Sequence, residues 1–307
     1  ADTIVMAGGW GPCRFGYYAQ VERDILQDLG YKFKLVVLEA PDFKFSELLG
    51  QLKSLGQNVT LWESIKAIKF AWKKLNAVEE MEKGLEYYLP RTDHKDKAQT
   101  IYEQALAAID KADTPDKVRA SVLTGLKELA VLPGHKRKVL KVGLVGEIYT
   151  ILEPASNYDI VRSLGNLDVE ITRSVYLSEW VNEHIMGGLI KKSNHKKIVS
   201  CAEPYLNYWV GGHGRETVGS TVDFARKQYD GVIQIGPLTC MPEIVAQTIL
   251  PLVSEKEHIP CMTMYFDEHS GKAGIITRLE AFTDMVARRS AEMDLEGGKS
   301  VELLSGS

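Results

Sequence analysis

The chain has 307 residues, 45% of them hydrophobic and 25% charged, which supplies a sizeable core and excludes a disordered polypeptide. Its formal net charge of −4 gives no electrostatic attraction to nucleic acid or to an anionic membrane. No apolar run reaches the roughly 18 residues of a membrane span, and no signal-peptide pattern is present.

The opening residue is Ala1 and a strand begins by residue 3, an abrupt start expected of a processed chain or of a piece of a longer polypeptide. Residues 1–43 read as an α/β portion: a strand, a turn carrying Cys13, a helix from Gly16 to Leu29 and a strand from Phe33 to Leu38, with Gly30 suited to end the helix. Residues 44–135 change character. Trp62, Ile65, Ile68, Trp72 and Leu75 recur at helical steps, as do Ile101, Ala105 and Ile109, then Val118, Val122, Leu126 and Leu129. Pro115 after Thr114 marks a helix start. This stretch predicts an inserted helical segment.

Residues 136–292 return to alternation. Strands are predicted at 140–146, 168–175, 196–201, 231–236 and 260–266, with helices at 156–165, 178–189, 214–228, 241–255 and 276–290. That order predicts α/β architecture, flavodoxin-like or Rossmann-like, with parallel sheets and helices on both faces. The Gly- and Ser-rich residues 293–307 are expected to form a loose tail.

Four cysteines in this length are too sparse for a disulfide scaffold and predict a reducing, cytoplasmic compartment. There is no CxxC pair, so any thiolate cluster must be assembled by the fold. Cys13 and Cys240 each follow a strand and a Gly/Pro turn and precede a helix. That position is the ligand-binding edge of an open α/β sheet, where helix amides favour thiolate. Both can equally be small buried apolar residues. Cys201 is expected at a strand end, as a third ligand or as packing, and Cys261 at the opposite edge, in the core. In Gly211-Gly212-His213-Gly214-Arg215-Glu216, His213 and Arg215 either face a cofactor or anionic substrate, or belong to a capped loop. Asp267 and Glu268 are expected to bind loop amides, because hard oxygen ligands pair poorly with soft thiolates. Lys191, Lys192, Lys196 and Lys197 read as solvated loop charges. No GxxxxGK[ST] phosphate loop is present.

Several of these segments together resemble one family. Residues 11–18 (Gly-Pro-Cys-Arg-Phe-Gly-Tyr-Tyr), 146–149 (Gly-Glu-Ile-Tyr), 211–216, 240–243 (Cys-Met-Pro-Glu), 267–271 and 277–282 are similar to the 2-hydroxyacyl-CoA dehydratase superfamily. The likeness is to its branch related to acyl-CoA dehydratase activases and runs from Asp2 to about Arg289. The resemblance implies a [4Fe–4S] cluster held by cysteines from separate strand ends, here Cys13 and Cys240 with Cys201 as third. It also implies a homodimer, in which the cluster bridges two chains or is larger, an ATP-hydrolysing activator as electron donor, and an acyl-CoA or other small-molecule substrate. Characterised relatives draw one cysteine from an upstream domain, which Cys201 would replace.

Three functions follow as expectations. One is an iron–sulfur protein that takes low-potential electrons for a radical-type dehydration or reduction. Another is a cluster-carrying scaffold or delivery subunit. The last is a small-molecule binding protein without a cluster.

Overall fold

The computed structural model describes residues 2–8, 15–38, 50, 60–184 and 194–305, with backbone alone at 7 and from 293 onward. Cys13 with its Gly-Pro turn, and Lys191 and Lys192, lie outside the described residues. The chain is mixed α/β and 63% helical, with parallel sheets flanked by helices, as the sequence predicts.

Strands β1 (Thr3–Ala7) and β2 (Lys34–Leu38) pair in parallel and are joined through helix α1 (Phe15–Asp28). Gly30, at φ 86°, ends α1. Its N–H donates to the Gln27 carbonyl and that of Tyr31 to the Leu26 carbonyl, the paired bonds of a left-handed helix stop.

Helices α2 (Leu61–Tyr88), α3 (Lys95–Lys111) and α4 (Pro115–Ala130) form the predicted helical segment. Thr60 and Glu63 cap α2 reciprocally, and Thr114 caps α4 ahead of Pro115. Met81, Leu85, Ile101, Ile109, Val118, Val122 and Leu129 close one apolar core between them. The apolar row at the start of α2 is left outside this core: Trp62 is 72% exposed and Ile68 39%.

The larger α/β unit runs β3 (Leu140–Gly146), α5 (Ile148–Leu152), α6 (Pro154–Asn157), α7 (Ile160–Asn166), β4 (Val169–Arg173), α8 (Leu177–His184), α9 (His195–Ala202), α10 (Gly214–Arg226), β5 (Gly231–Pro237), α11 (Met241–Lys256), β6 (Cys261–Phe266) and α12 (Lys272–Ser305). The four strands are parallel in the order β4-β3-β5-β6. Val142, Leu144, Ile233 and Ile235 join Leu164 of α7 and Leu279 and Phe282 of α12 in one core. Val145 and Val232 pack with Phe224 of α10 in another. Alternate residues of buried parallel strands thus serve two helical layers.

Three expectations change. Residues 196–201 form helix α9, not a strand. The β-branched pair Ile198-Val199 favours a strand locally, but the segment packs on α10, where a Cβ at Gly219 would lie 2.1 Å from the Ile198 carbonyl oxygen. The helix predicted over 156–165 is split into α6 and α7 by Tyr158 and Asp159, at φ 57° and 55°. The backbone predicted loose from 293 stays helical to Ser305. Leu295, Glu296, Glu302, Leu303 and Leu304 support a helix, and Gly297 and Gly298 cost only about 1 kcal/mol each.

The helical segment seats on the β4 side through buried charges. Arg173 lies 2.8 Å from Glu86 and 2.5 Å from Glu82, and Tyr176 donates to Glu86 at 2.7 Å. Ser178 donates through its backbone N–H and its hydroxyl to Glu79, at 2.6 and 2.5 Å. Lys197 belongs to α9 and lies 2.6 Å from Asp223, so it is not a free loop charge.

Candidate functional site

The chain passes from β3 outward to β4 and returns to β5 on the other side of β3. Strand order reverses between β3 and β5, and in open α/β sheets ligands bind outside the carboxyl ends of the strands at such a point. Gly146 closes β3 at φ 136°, and a Cβ there would lie 1.8 Å from the Ile235 carbonyl oxygen, so only glycine fits. Glu147 then donates its N–H to that same oxygen at 3.0 Å. Its carboxylate accepts the Tyr149 and Thr150 N–H groups at 3.0 and 2.8 Å, capping α5 at the carboxyl edge of the sheet.

At the same edge, β5 ends at Pro237 and Thr239 turns the chain at φ 69°. Cys240 is the partly exposed residue that opens α11. This is the sequence-predicted order of strand, turn, cysteine and helix. Gly214, which opens α10, sits against the same turn: its Cβ would be 2.4 Å from the Pro242 carbonyl oxygen. The starts of α10 and α11 therefore meet at one edge.

His213 and Arg215 flank Gly214. The loop before them needs its glycines, since Gly211 and Gly212 have φ 89° and 46°. Arg215 has its Nη2 3.9 Å from Glu203, and its buried Nε has no hydrogen-bond partner among the described residues. His213, Glu216 and Gly146 also line a cavity of about 460 Å³ with Arg173, Tyr176 and Trp180.

Beneath the edge lies a polar chain that sequence reading missed. Glu243, 1% exposed, accepts from the Gln234 amide at 2.9 Å and the Thr217 hydroxyl at 3.0 and 3.1 Å. Thr263 donates to Gln234 at 2.9 Å. Burial, aided by the charges of Glu147 and Glu216, pushes the Glu243 carboxyl up to about 7, against the hydrogen bonds from Gln234 and Thr217. The signal was in the sequence: Gln234 is the polar residue within an apolar strand, and Glu243 stands three after Cys240. Tyr265 lies beside Glu243. Burial, then the charges of Glu243 and Cys240, push its phenol up to about 12.

Cys201 is not at this edge. It is 5% exposed on α9, in a core with Ala202, Leu206, Val218 and Val222. Arg226 Nη1 lies 3.6 Å from its sulfur. Arg226 belongs to the last turn of α10, while Gly214 at the first turn meets the α11 start, and those turns are about 18 Å apart. The structure does not bring Cys201 and Cys240 together. Cys261 opens β6 with its sulfur 3.5 Å from the Ile259 carbonyl, and burial pushes its thiol up to about 12.

Asp267 accepts from the His269 N–H at 3.0 Å and the Ser270 hydroxyl at 2.9 Å, so it binds its own loop. Glu268 lies 3.7 Å from His269 with its side chain 83% exposed. Among the described residues, no three His, Cys, Asp or Glu side chains are arranged to hold a metal ion. No protein-family model matches the chain, and no curated protein matches it. Among the described residues, no helix is long and apolar enough to cross a membrane.

Proposed function

We propose that this chain is an iron–sulfur redox protein that uses Cys240 and Cys13 as ligands. It would take low-potential electrons from an ATP-hydrolysing activator for a radical-type dehydration or reduction, as the resemblance to the 2-hydroxyacyl-CoA dehydratase superfamily implies. The observation that carries the reading is Cys240 itself: a partly exposed thiol at a helix start, just past the carboxyl end of β5.

The donor chemistry at this edge suits a soft metal. Glu147 and Glu243 spend their carboxylates on capping and on internal hydrogen bonds, which leaves a thiol as the outward donor. One thiol is too few for a cluster, so the reading requires Cys13, and a second copy or further ligands besides. A bound cluster supplies one-electron chemistry, with a potential set by hydrogen bonds and exposure. The chain's own part is to hold thiolate at the α11 start, where unpaired helix amides favour negative charge. Glu243 holds a proton near neutral pH a short way beneath. The 460 Å³ cavity is of a size for a small molecule.

Iron and acid-labile sulfide on anaerobically purified protein, with an EPR spectrum after dithionite, test the reading. The wild type should bind both, and the Cys13→Ser, Cys240→Ser double variant should bind neither. Full iron in that variant removes the ligand assignment.

A second reading is a small-molecule binding protein without a cluster. The same cavity favours it, because no cysteine among the described residues lines it. Protein that stays iron-free after reconstitution would select it.

A further inference from the structure

Helix α1 and the first half of α2 each carry an apolar row that the fold leaves uncovered. On α1, Tyr17, Val21 and Ile25 follow one another at four-residue steps, and Leu29 continues the row past the helix end. They are 68%, 51%, 53% and 68% exposed. On α2, Leu61, Ile65 and Ile68 form a row with Trp62 beside it. Leu61, Trp62 and Ile68 are exposed and Ile65 is half-buried.

The two rows carry opposite charge. Val21 has Asp24 and Ile25 as its neighbours three and four residues on, and Ile25 has Asp28 and Leu29, so carboxylates run alongside the apolar row. Helix α1 holds Glu22, Asp24 and Asp28 against Arg23, a net −2. Residues 61–75 hold Lys66, Lys69, Lys73 and Lys74 against Glu63, a net +3. Lys66, Lys69 and Lys73 make one row beside Ile65 and Ile68. The lengths agree too: the 14 residues of α1 span about 21 Å, and residues 61–75 span about 22 Å.

Within one chain the two rows are not joined, since both are exposed. The unit of β1, α1 and β2 also has little core of its own: among its described residues, Ala19 and Val36 are the buried apolar ones. Two strands and one helix with so little burial are marginal in isolation. An apolar row edged with lysines is the complement that the acid-edged row of α1 lacks.

We infer that α1 of one copy docks on residues 61–75 of a second copy, apolar row on apolar row, with Asp24 and Asp28 against Lys66, Lys69 and Lys73. Each copy offers both faces, so a twofold axis makes the contact twice and the assembly closes at two. One pair of short helices is a small interface, and the repeat doubles it. The pairing does not involve the proposed cluster, so it is tested on iron-free protein.

The test is the mass of the full chain in solution, by light scattering and sedimentation equilibrium. The wild type should be a dimer that dissociates as salt rises, because exposed charges are screened. Asp24→Lys with Asp28→Lys sets like charges across the contact and should weaken association about tenfold. Lys66→Glu with Lys69→Glu should do the same. The protein carrying all four substitutions should regain the dimer, a rescue that a misfolded variant would not show. A monomeric wild type overturns the inference, because the faces then serve another partner or none. A dimer that neither double substitution weakens overturns it as well, since another surface then makes it. So does a fourfold variant that stays monomeric.

Discussion

Gly214 and Pro242 are in contact such that a single added methyl at position 214 would lie 2.4 Å from the Pro242 carbonyl oxygen. This one approach locks the start of α10, with His213 and Arg215 on either side, against the start of α11, which Cys240 opens. Two segments 28 residues apart, at 214 and 242, thereby share one edge.

That contact makes a prediction with a contested sign. Helix propensity favours Gly214→Ala by up to about 1 kcal/mol. The clash is with backbone, which cannot swing aside, and overpacking costs about 1–3 kcal/mol. The variant should therefore be less stable in urea denaturation, by about 1 kcal/mol. Gly146→Ala should lose more, because it adds a φ of 136° to a 1.8 Å approach. A Gly214→Ala protein as stable as wild type would mean that the two helix starts are free to part.

Glu243 predicts a pH dependence of stability. Its carboxyl sits at about 7 in the fold, against a normal value of 4.5. Between those values the native state holds a proton that the unfolded chain has lost, so stability falls as pH rises through the window. Thr217, Gln234, Tyr265, Glu147 and Glu216 face this carboxyl from α10, β5, β6 and the β3 end, and none is a cation that would reverse the direction. The full effect is on the order of 3 kcal/mol. Glu86, raised to about 7 by burial, contributes in the same direction. Glu243→Gln should flatten the decline between pH 4.5 and 7 without abolishing it. Urea titrations at pH 5 and 7.5 on both proteins measure this. Parallel pH profiles would place the Glu243 titration outside this window.

Cys201 separates packing from ligation. Its sulfur lies in an apolar core with Val218 and Val222, so Cys201→Ser buries a hydroxyl there at a cost of about 1–3 kcal/mol. Iron content should be unchanged. If serine at 201 removes iron while the fold persists, Cys201 returns as a ligand.

The parts legible in the sequence are those where local signals agree. Gly231–Pro237, the Thr239 turn and the α11 helix all read correctly because an apolar run, a Gly-Pro break and a helix start follow one another. Gly30 and Thr114 did the same for α1 and α4. Cys201 was misplaced because Ile198-Val199 carries strand propensity in a segment of eight residues, too short for periodicity to outvote it. Glu243 was missed for a different reason. An acid three residues into a helix reads as an outward cap, and only the tertiary approach of Thr217 and Gln234 turns it inward. Glu79, Glu82 and Glu86 recur on one face of α2, but nothing local says that Arg173, 87 residues after Glu86, pairs with Glu82 and Glu86, or that Ser178 receives Glu79.

Arg173 supplies the last prediction. Its side chain is 5% exposed and that of Glu86 is 6%, so their ion pair is a buried one. Removing one partner of such a pair leaves an uncompensated charge and costs about 3–5 kcal/mol. Arg173→Ala should lose that much at pH 8, where Glu86 is ionised in the wild type. At pH 5 the loss should shrink. Glu86, raised to about 7 by burial, already holds a proton at pH 5, so removing the guanidinium strands no charge on it. The contact between α2 and β4 should loosen in the same variant, read as faster amide exchange in 79–86 and 173–178. A deficit equal at pH 5 and pH 8 would show that the charge of Glu86 does not set the cost, and that the loss comes from the Arg173–Glu82 pair and from packing.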